Sequence, residues 1–81
     1  MSSYRIQYAP QAEASLKAMP QDARGGFERA MTKTLGRDPY GHGSVQLKGD
    51  RDYREVTVGG AFVVYYVSAE LLVVTAVRIV H

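Results

Sequence analysis

The sequence predicts an α+β domain in which a two-helix hairpin packs on one face of a small antiparallel sheet, in the order strand, helix, helix, strand, strand, strand. The strongest evidence is a set of three runs rich in the strand-favouring residues Val, Tyr, Phe and Thr: Tyr53–Val58, Ala61–Val67 and Leu71–Val80. Gly59-Gly60 suits a hairpin turn that needs positive φ at both positions. Ser68–Glu70 supplies the second turn of this three-strand meander.

One strand and two helices precede the meander. Tyr4–Tyr8 alternates apolar and polar residues, which predicts a strand whose apolar side chains are buried. Gln11–Met19 follows as a short helix, which Pro20 ends. A second helix opens at Gln21-Asp22 and stops at Gly36, since glycine is favoured just past a helix C-terminus. Its apolar positions follow the three-and-four spacing of an amphipathic helix: Ala23, Phe27, Ala30, Met31 and Leu35.

Length and composition indicate a single domain over residues 1–81 with a modest core. The net charge of +2 supports nucleic-acid binding only weakly, because phosphate affinity depends on how Lys and Arg are arranged locally. The absence of cysteine excludes disulfides and thiolate metal ligands, and it fits a reducing cytoplasm. No apolar run approaches the about 20 residues that span a bilayer, and no signal peptide is expected at the N-terminus.

Two arginines on predicted strands are the first candidates for a functional site. Strand alternation places Arg54 on the same face as Val56, and it places Arg78 on the same face as Val74 and Ala76. Small apolar neighbours of this kind favour a shallow open sheet face that carries a few charges. The alternative is that each arginine pairs with a nearby acid or extends its head group into water.

Three further residues carry weaker signals. Lys48 and Arg51 lie close to Arg54 and form a candidate phosphate-binding cluster, although two interleaved aspartates reduce its positive field. His81 is the last residue of the sequence, so its imidazole is expected beside the α-carboxylate, which would raise its pKa and suit it to general acid catalysis. A frayed tail is the alternative for this histidine. The spacing of His, Asp and Glu predicts no metal site.

Several short motifs occur in a familiar order along the chain: Leu47-Lys48-Gly49, Tyr53-Arg54, Gly60–Tyr66, Leu71–Val74 and Val77–His81. In these motifs the sequence resembles the RelE/ParE superfamily of bacterial toxins over essentially its whole length. Members typically show a Leu-Lys-Gly stretch, a Tyr-Arg pair, a Gly-aromatic-Arg-x-x-Tyr strand and a last strand that ends near Arg-x-x-His.

The resemblance implies the toxin of a type II toxin–antitoxin system, restrained by an antitoxin protein that folds around it. RelE-like members cleave mRNA in the ribosomal A site without a metal or other cofactor, and ParE-like members inhibit DNA gyrase. For a RelE-like endoribonuclease, the resemblance assigns catalysis to Arg54, Arg78 and His81 and RNA binding to Lys48 and Arg51. The expected partners are the antitoxin, the ribosome and mRNA, with no membrane; a homodimer is an open alternative.

Two positions depart from the nuclease pattern. RelE-like nucleases carry a strand arginine at the position that is expected to correspond to Val63 of this chain. One branch of them carries a catalytic glutamate at the position that is expected to correspond to Val45. Three hypotheses follow. The chain is a RelE-like translation inhibitor with weakened cleavage, a ParE-like or non-catalytic member that binds a protein, or a small binding domain of the same fold.

Overall fold

The computed structural model describes residues 3–81 and contains two helices and five strands within that range. In chain order the elements are β1 (Arg5–Tyr8), α1 (Pro10–Lys17), α2 (Gln21–Thr34), β2 (Val45–Leu47), β3 (Asp50–Val58), β4 (Ala61–Ser68) and β5 (Val73–Val80). The predicted α+β architecture and element order are confirmed. The short strand β2 is additional to that order, and β3 begins at Asp50 rather than at Tyr53, where the predicted strand starts.

The five strands form one sheet in the order β1-β5-β4-β3-β2. The pairs β2–β3, β3–β4 and β4–β5 are antiparallel, whereas β1 pairs with β5 in parallel. The expectation of a wholly antiparallel sheet is therefore wrong for one pair. Parallel neighbours need a long crossover between them. Here that crossover comprises both helices and three strands, and nothing in the local sequence of β1 reveals its partner.

Three turns set the geometry of the meander. Gly59 and Gly60 have φ of 55° and 83°, which confirms the predicted hairpin turn. Lys48 and Gly49 have φ of 53° and 71°, and they form a similar turn between β2 and β3. The turn between β4 and β5 extends to Leu72, which has φ of 54° and is not in a strand. The prediction that the last strand starts at Leu71 is therefore wrong.

The hydrophobic core lies between the two helices and one face of the sheet. Its buried members on α1, α2 and the segments that follow them are Ala12, Leu16, Met19, Phe27, Met31 and Leu35. Its buried members on the sheet are Val56, Val58, Ala61, Val63, Tyr65, Val67, Val74, Ala76 and Ile79. Tyr4, Ile6 and Tyr8 of the N-terminal strand segment pack against this cluster, as the alternation predicts, although they are only partly buried.

A bulge in β5 reverses the alternation of its last residues. Tyr65 pairs with Ala76, but the preceding Val64 pairs with Arg78, so Val77 is an extra residue without a partner on β4. Before the bulge Val74 and Ala76 face the core, and after it Ile79 does. Arg78 consequently lies on the opposite face from Val74 and Ala76, and the expectation that these three share a face is wrong. An extra residue of this kind redirects the side chains that follow it.

Deleting Val77 tests the assignment of the bulge. Without Val77, Ala76 and Arg78 become consecutive residues opposite Tyr65 and Val64, so Arg78 stays on the open face and Ile79 stays in the core. We expect the deletion to lower the free energy of unfolding by no more than about 1 kcal/mol, the order expected for Val77→Ala at this half-buried position. Urea denaturation followed by circular dichroism measures both variants. A loss of more than about 2 kcal/mol on deletion, the order expected if Ile79 left the core, would contradict the assignment.

Candidate functional site: the open face of the sheet

The face of the sheet that the helices leave uncovered, here called the open face, has an apolar floor. Val64 and Val73 are buried but do not belong to the core cluster between sheet and helices. Around them stand the exposed side chains of Phe62, Tyr66 and Val80. No pocket is present among residues 3–81, so a ligand of this face would bind a shallow surface.

Four side chains form a row across the open face. Tyr53, Tyr66, Thr75 and Gln7 lie side by side on β3, β4, β5 and β1. The rings of Tyr53 and Tyr66 are stacked, with centroids 4.4 Å apart and an interplanar angle of 15°. The Gln7 Nε2 atom donates a hydrogen bond of 2.9 Å to the Thr75 hydroxyl. Composition and the two-residue alternation of strand side chains did not distinguish these tyrosines from core tyrosines. Only the register of the paired strands assigns them to the open face.

Arg78 lies in the next row of the open face. Val64 is its partner on β4, and Glu55 is the partner of Val64 on β3, so one residue separates the arginine from this acid. Within residues 3–81 no carboxylate oxygen lies within 4.0 Å of the Arg78 guanidinium. The side chain is exposed, and its charge is available to a ligand.

Arg54 lies on the other side of the sheet and is 9% exposed. Its Nε donates to the Ser44 hydroxyl at 3.0 Å, and Nη1 donates to the Arg51 carbonyl at 3.0 Å. Its Nη2 donates to the carbonyls of Ser44 and Tyr40 at 3.1 and 3.4 Å. These bonds hold the loop before β2 against β3. The expectation that Arg54 and Arg78 share an open face is wrong.

Two tyrosines complete the attachment of this loop. The Tyr65 hydroxyl donates to the Pro39 carbonyl, and the Tyr40 hydroxyl donates to the Asp52 carboxylate at 2.7 Å. Burial, reinforced by the hydrogen bond to Asp52, raises the pKa of Tyr40 to about 12. Burial also raises the pKa of Tyr65. Both hydroxyls therefore stay protonated at neutral pH and act as donors that fix the loop.

Lys48 and Arg51, the expected RNA-binding pair, lie at the β2–β3 hairpin. Lys48 is exposed in the turn itself. The Nε atom of Arg51 lies 3.5 Å from the Asp52 carboxylate, and its guanidinium lies 5.4 Å from the centre of the Tyr40 ring. Both cations are on the surface, but Arg51 is engaged with its neighbours. The structure does not bring either side chain into the row that contains Arg78.

His81 follows β5 and lies against α1. Its Nε2 atom is 3.1 Å from the Ser15 carbonyl oxygen, a hydrogen bond in which Nε2 carries the proton and donates. The histidine is exposed. Strand alternation from Ile79 places it on the helix side of the sheet, away from Arg78. The three expected catalytic residues therefore do not converge on one point of the surface.

Val63, the position expected to replace the strand arginine, is 0% exposed and belongs to the core. Its neighbour Phe62 is the residue that reaches the open face, where it pairs with Thr57 and Val80. Counting Gly-aromatic-Arg-x-x-Tyr from Gly60 also places the arginine position on Phe62. The assignment to Val63 is wrong by one residue. An aromatic ring occupies the open-face position instead of a cation.

Within residues 3–81 no three His, Asp or Glu side chains are grouped so that they could hold a metal ion. Neither helix of the range is long and apolar enough to cross a membrane.

Val45, the position expected to replace a catalytic glutamate, is 57% exposed at the edge strand β2.

Comparison with solved structures finds the same fold in RelE toxins. The RelBE2 toxin–antitoxin complex of Mycobacterium tuberculosis matches with a TM-score of 0.83 and 18% identity, over 100% of this chain and 93% of that chain. The isolated Escherichia coli RelE toxin matches with a TM-score of 0.74 and 19% identity, over 96% and 83% of the two chains. The RelE–RelB complex of the archaeon Pyrococcus horikoshii matches with a TM-score of 0.71 and 19% identity, over 96% of this chain and 93% of that chain.

No protein-family model and no curated protein matches the sequence. At 18–19% identity, the matches to solved structures show the fold. The RelE-like fold expected from the sequence motifs is confirmed.

The two candidate arginines should differ in their effect on stability. Arg54→Met leaves three partly buried carbonyl groups without their donor, so we expect the free energy of unfolding to fall by about 1–3 kcal/mol. Arg78→Met removes an exposed, unpaired charge and should change it by less than about 0.5 kcal/mol. Urea denaturation of both variants measures the difference. Equal effects of the two substitutions would contradict the separate placement of the arginines.

Proposed function

We propose that this chain is the toxin of a toxin–antitoxin pair and that it inhibits translation by acting on mRNA at the ribosome. The shared fold supports this proposal, because the matches to RelE toxins extend over nearly all of both chains. Two of those matches are complexes of a toxin with its antitoxin. An antitoxin polypeptide is accordingly the expected inhibitor of this chain.

The observation that carries the proposal is the exposed Arg78 beside aromatic side chains on the open face. An unpaired guanidinium binds phosphate through directed hydrogen bonds, and aromatic rings provide stacking surfaces for bases. Tyr66 and Phe62 are both exposed on the same face of β4. This combination favours single-stranded RNA over duplex, since only unpaired bases can stack on protein rings.

The chemistry proposed for this face is attack of an RNA 2′-hydroxyl oxygen on the adjacent phosphorus. The attack forms a 2′,3′-cyclic phosphate and breaks the bond to the 5′-oxygen of the next nucleotide, which leaves as a hydroxyl after it takes up a proton. Arg78 would stabilise the negative charge that develops on the phosphate oxygens, the contribution a fixed cation makes in such reactions. Arg54 supports the fold beneath the site through its loop contacts. The proton transfers would then rely on groups supplied with the substrate, because His81 contacts α1 on the other side of the sheet.

A second candidate function is binding to a protein target without RNA cleavage. The separation of Arg54, Arg78 and His81 favours it, because general acid–base catalysis needs its groups within hydrogen-bond reach of the reacting atoms. In this function the open face would contact a protein, and the chain would still be inhibited by an antitoxin. The two candidates differ in whether mRNA is cut.

Primer extension on mRNA in programmed ribosomes separates them. The purified chain should produce cuts at defined codon positions, and Arg78→Ala should slow cleavage by about 100-fold or more, the effect of losing one charge-stabilising donor. Arg78→Lys should recover part of the rate. Arg37→Ala removes an equal charge from an exposed position after α2 and serves as the matched control, with an unchanged rate expected.

Two results would contradict the nuclease proposal. Cleavage that is indifferent to Arg78→Ala would remove the open face from the mechanism. An absence of cuts at a large excess of chain over ribosomes, together with growth arrest in cells that express it, would establish the protein-binding candidate instead.

A further inference from the structure

We infer that the row Tyr53, Tyr66, Thr75 and Gln7 is a platform that binds one unpaired RNA base and discriminates between bases. This inference rests on the proposed function and deepens it, because it names the residues that recognise the substrate. It assigns stacking to Tyr66 and hydrogen bonding to Thr75 and Gln7. Arg78 lies in the neighbouring row and would contact the phosphate backbone.

The stacking surface is the ring face of Tyr66 that Tyr53 does not cover. Tyr53 stacks on Tyr66 from the β3 side with centroids 4.4 Å apart, so the other face of the Tyr66 ring is directed toward β5. The residue beside it on β5 is Thr75, whose side chain is short. Tyr66 is 44% exposed. A space bounded by an aromatic ring on one side and a small polar residue below it suits a planar base.

The polar end of the row supplies groups for the edge of that base. The Gln7 amide donates to the Thr75 hydroxyl at 2.9 Å. This bond leaves the Gln7 carbonyl oxygen, the second amide N–H and the Thr75 hydroxyl proton unused. One acceptor and two donors of this row are therefore available to the edge of a base. Such groups reject a base whose edge cannot satisfy them.

The charges around the row favour a nucleic acid as its occupant. Arg5, which pairs with Val73, lies in the row on one side, and Arg78 lies in the row on the other. Apart from the bulged Val77, four strand residues separate these two rows, which corresponds to about 13 Å along the sheet. Glu55 is the one acid among the paired positions of the open face that residues 3–81 provide. An RNA strand that runs along β5 would place a phosphate near each arginine.

Titration of the isotope-labelled chain with short RNA, followed by nuclear magnetic resonance, tests the platform without the ribosome. The probes are tetranucleotides of adenosine, of cytidine and of uridine, and a tetramer of the same ribose-phosphate backbone without bases. We expect shifts of the Tyr66 ring and the Thr75 and Gln7 side chains with at least one oligonucleotide. The base-free tetramer should bind about 10-fold more weakly.

Three variants sharpen this test. Tyr66→Ala should weaken binding about 10-fold, whereas Tyr66→Phe keeps the ring and should bind as the unsubstituted chain does. Thr75→Val preserves the shape of the residue but removes a donor, so we expect it to reduce the difference in affinity among the three oligonucleotides. Tyr66→Phe and Thr75→Val change little volume, so the test does not depend on the fold of the alanine variant.

Equal affinity for the base-free tetramer, or shifts confined to the arginines, would overturn the platform. So would an absence of shifts with every oligonucleotide, or occupation of the row by an antitoxin peptide alone. The outcome for the proposed function can be distinguished from the outcome for the platform. If the platform fails but Arg78→Ala still abolishes ribosome-dependent cleavage, the function stands. If the oligonucleotides bind as expected but no mRNA is cut, the platform stands without the nuclease.

Discussion

The bulge at Val77 determines which side chains of the last strand face the solvent. β5 lies between β1 and β4, so both of its edges are hydrogen-bonded to neighbouring strands and only its two faces can present side chains. One extra residue lets Val74 and Ala76 pack under the helices, while the same strand still presents Arg78 on the open face. Bulges commonly occur beside active sites, where the extra residue bends the strand and redirects a side chain. Arg78 owes its position beside the tyrosine stack to this one residue.

The two strand arginines show how burial and hydrogen bonding separate a structural charge from one that a ligand can reach. A guanidinium can be buried only where its donors are satisfied, and Arg54 makes four hydrogen bonds to the loop and strand around it. Those bonds leave it little capacity to bind a phosphate. Arg78 is exposed and has no ion-pair partner in the described part of the chain. Its free donors are the feature a ligand can use.

Local sequence patterns predicted the elements well, and they failed where long-range pairing decides the outcome. Strand propensity and Gly59-Gly60 located the β3–β4 hairpin, because that turn needs residues that tolerate positive φ. Strict alternation misplaced Arg78, since a bulge leaves no mark in the hydrophobic pattern of Val73–Val80. The stack of Tyr53 on Tyr66 depends on the β3–β4 register, which the pattern of either strand alone does not contain.

The most direct test of this account is the reactivity of the two arginines in the native chain. An arginine-selective dicarbonyl reagent, with sites identified by mass spectrometry, measures how fast each guanidinium is modified. We predict that Arg78 reacts nearly as fast in the folded chain as in urea, and that Arg54 is protected until the chain unfolds. Similar native rates for Arg54 and Arg78, or protection of Arg78, would contradict the placement of Arg78 on the open face and of Arg54 beneath the loop.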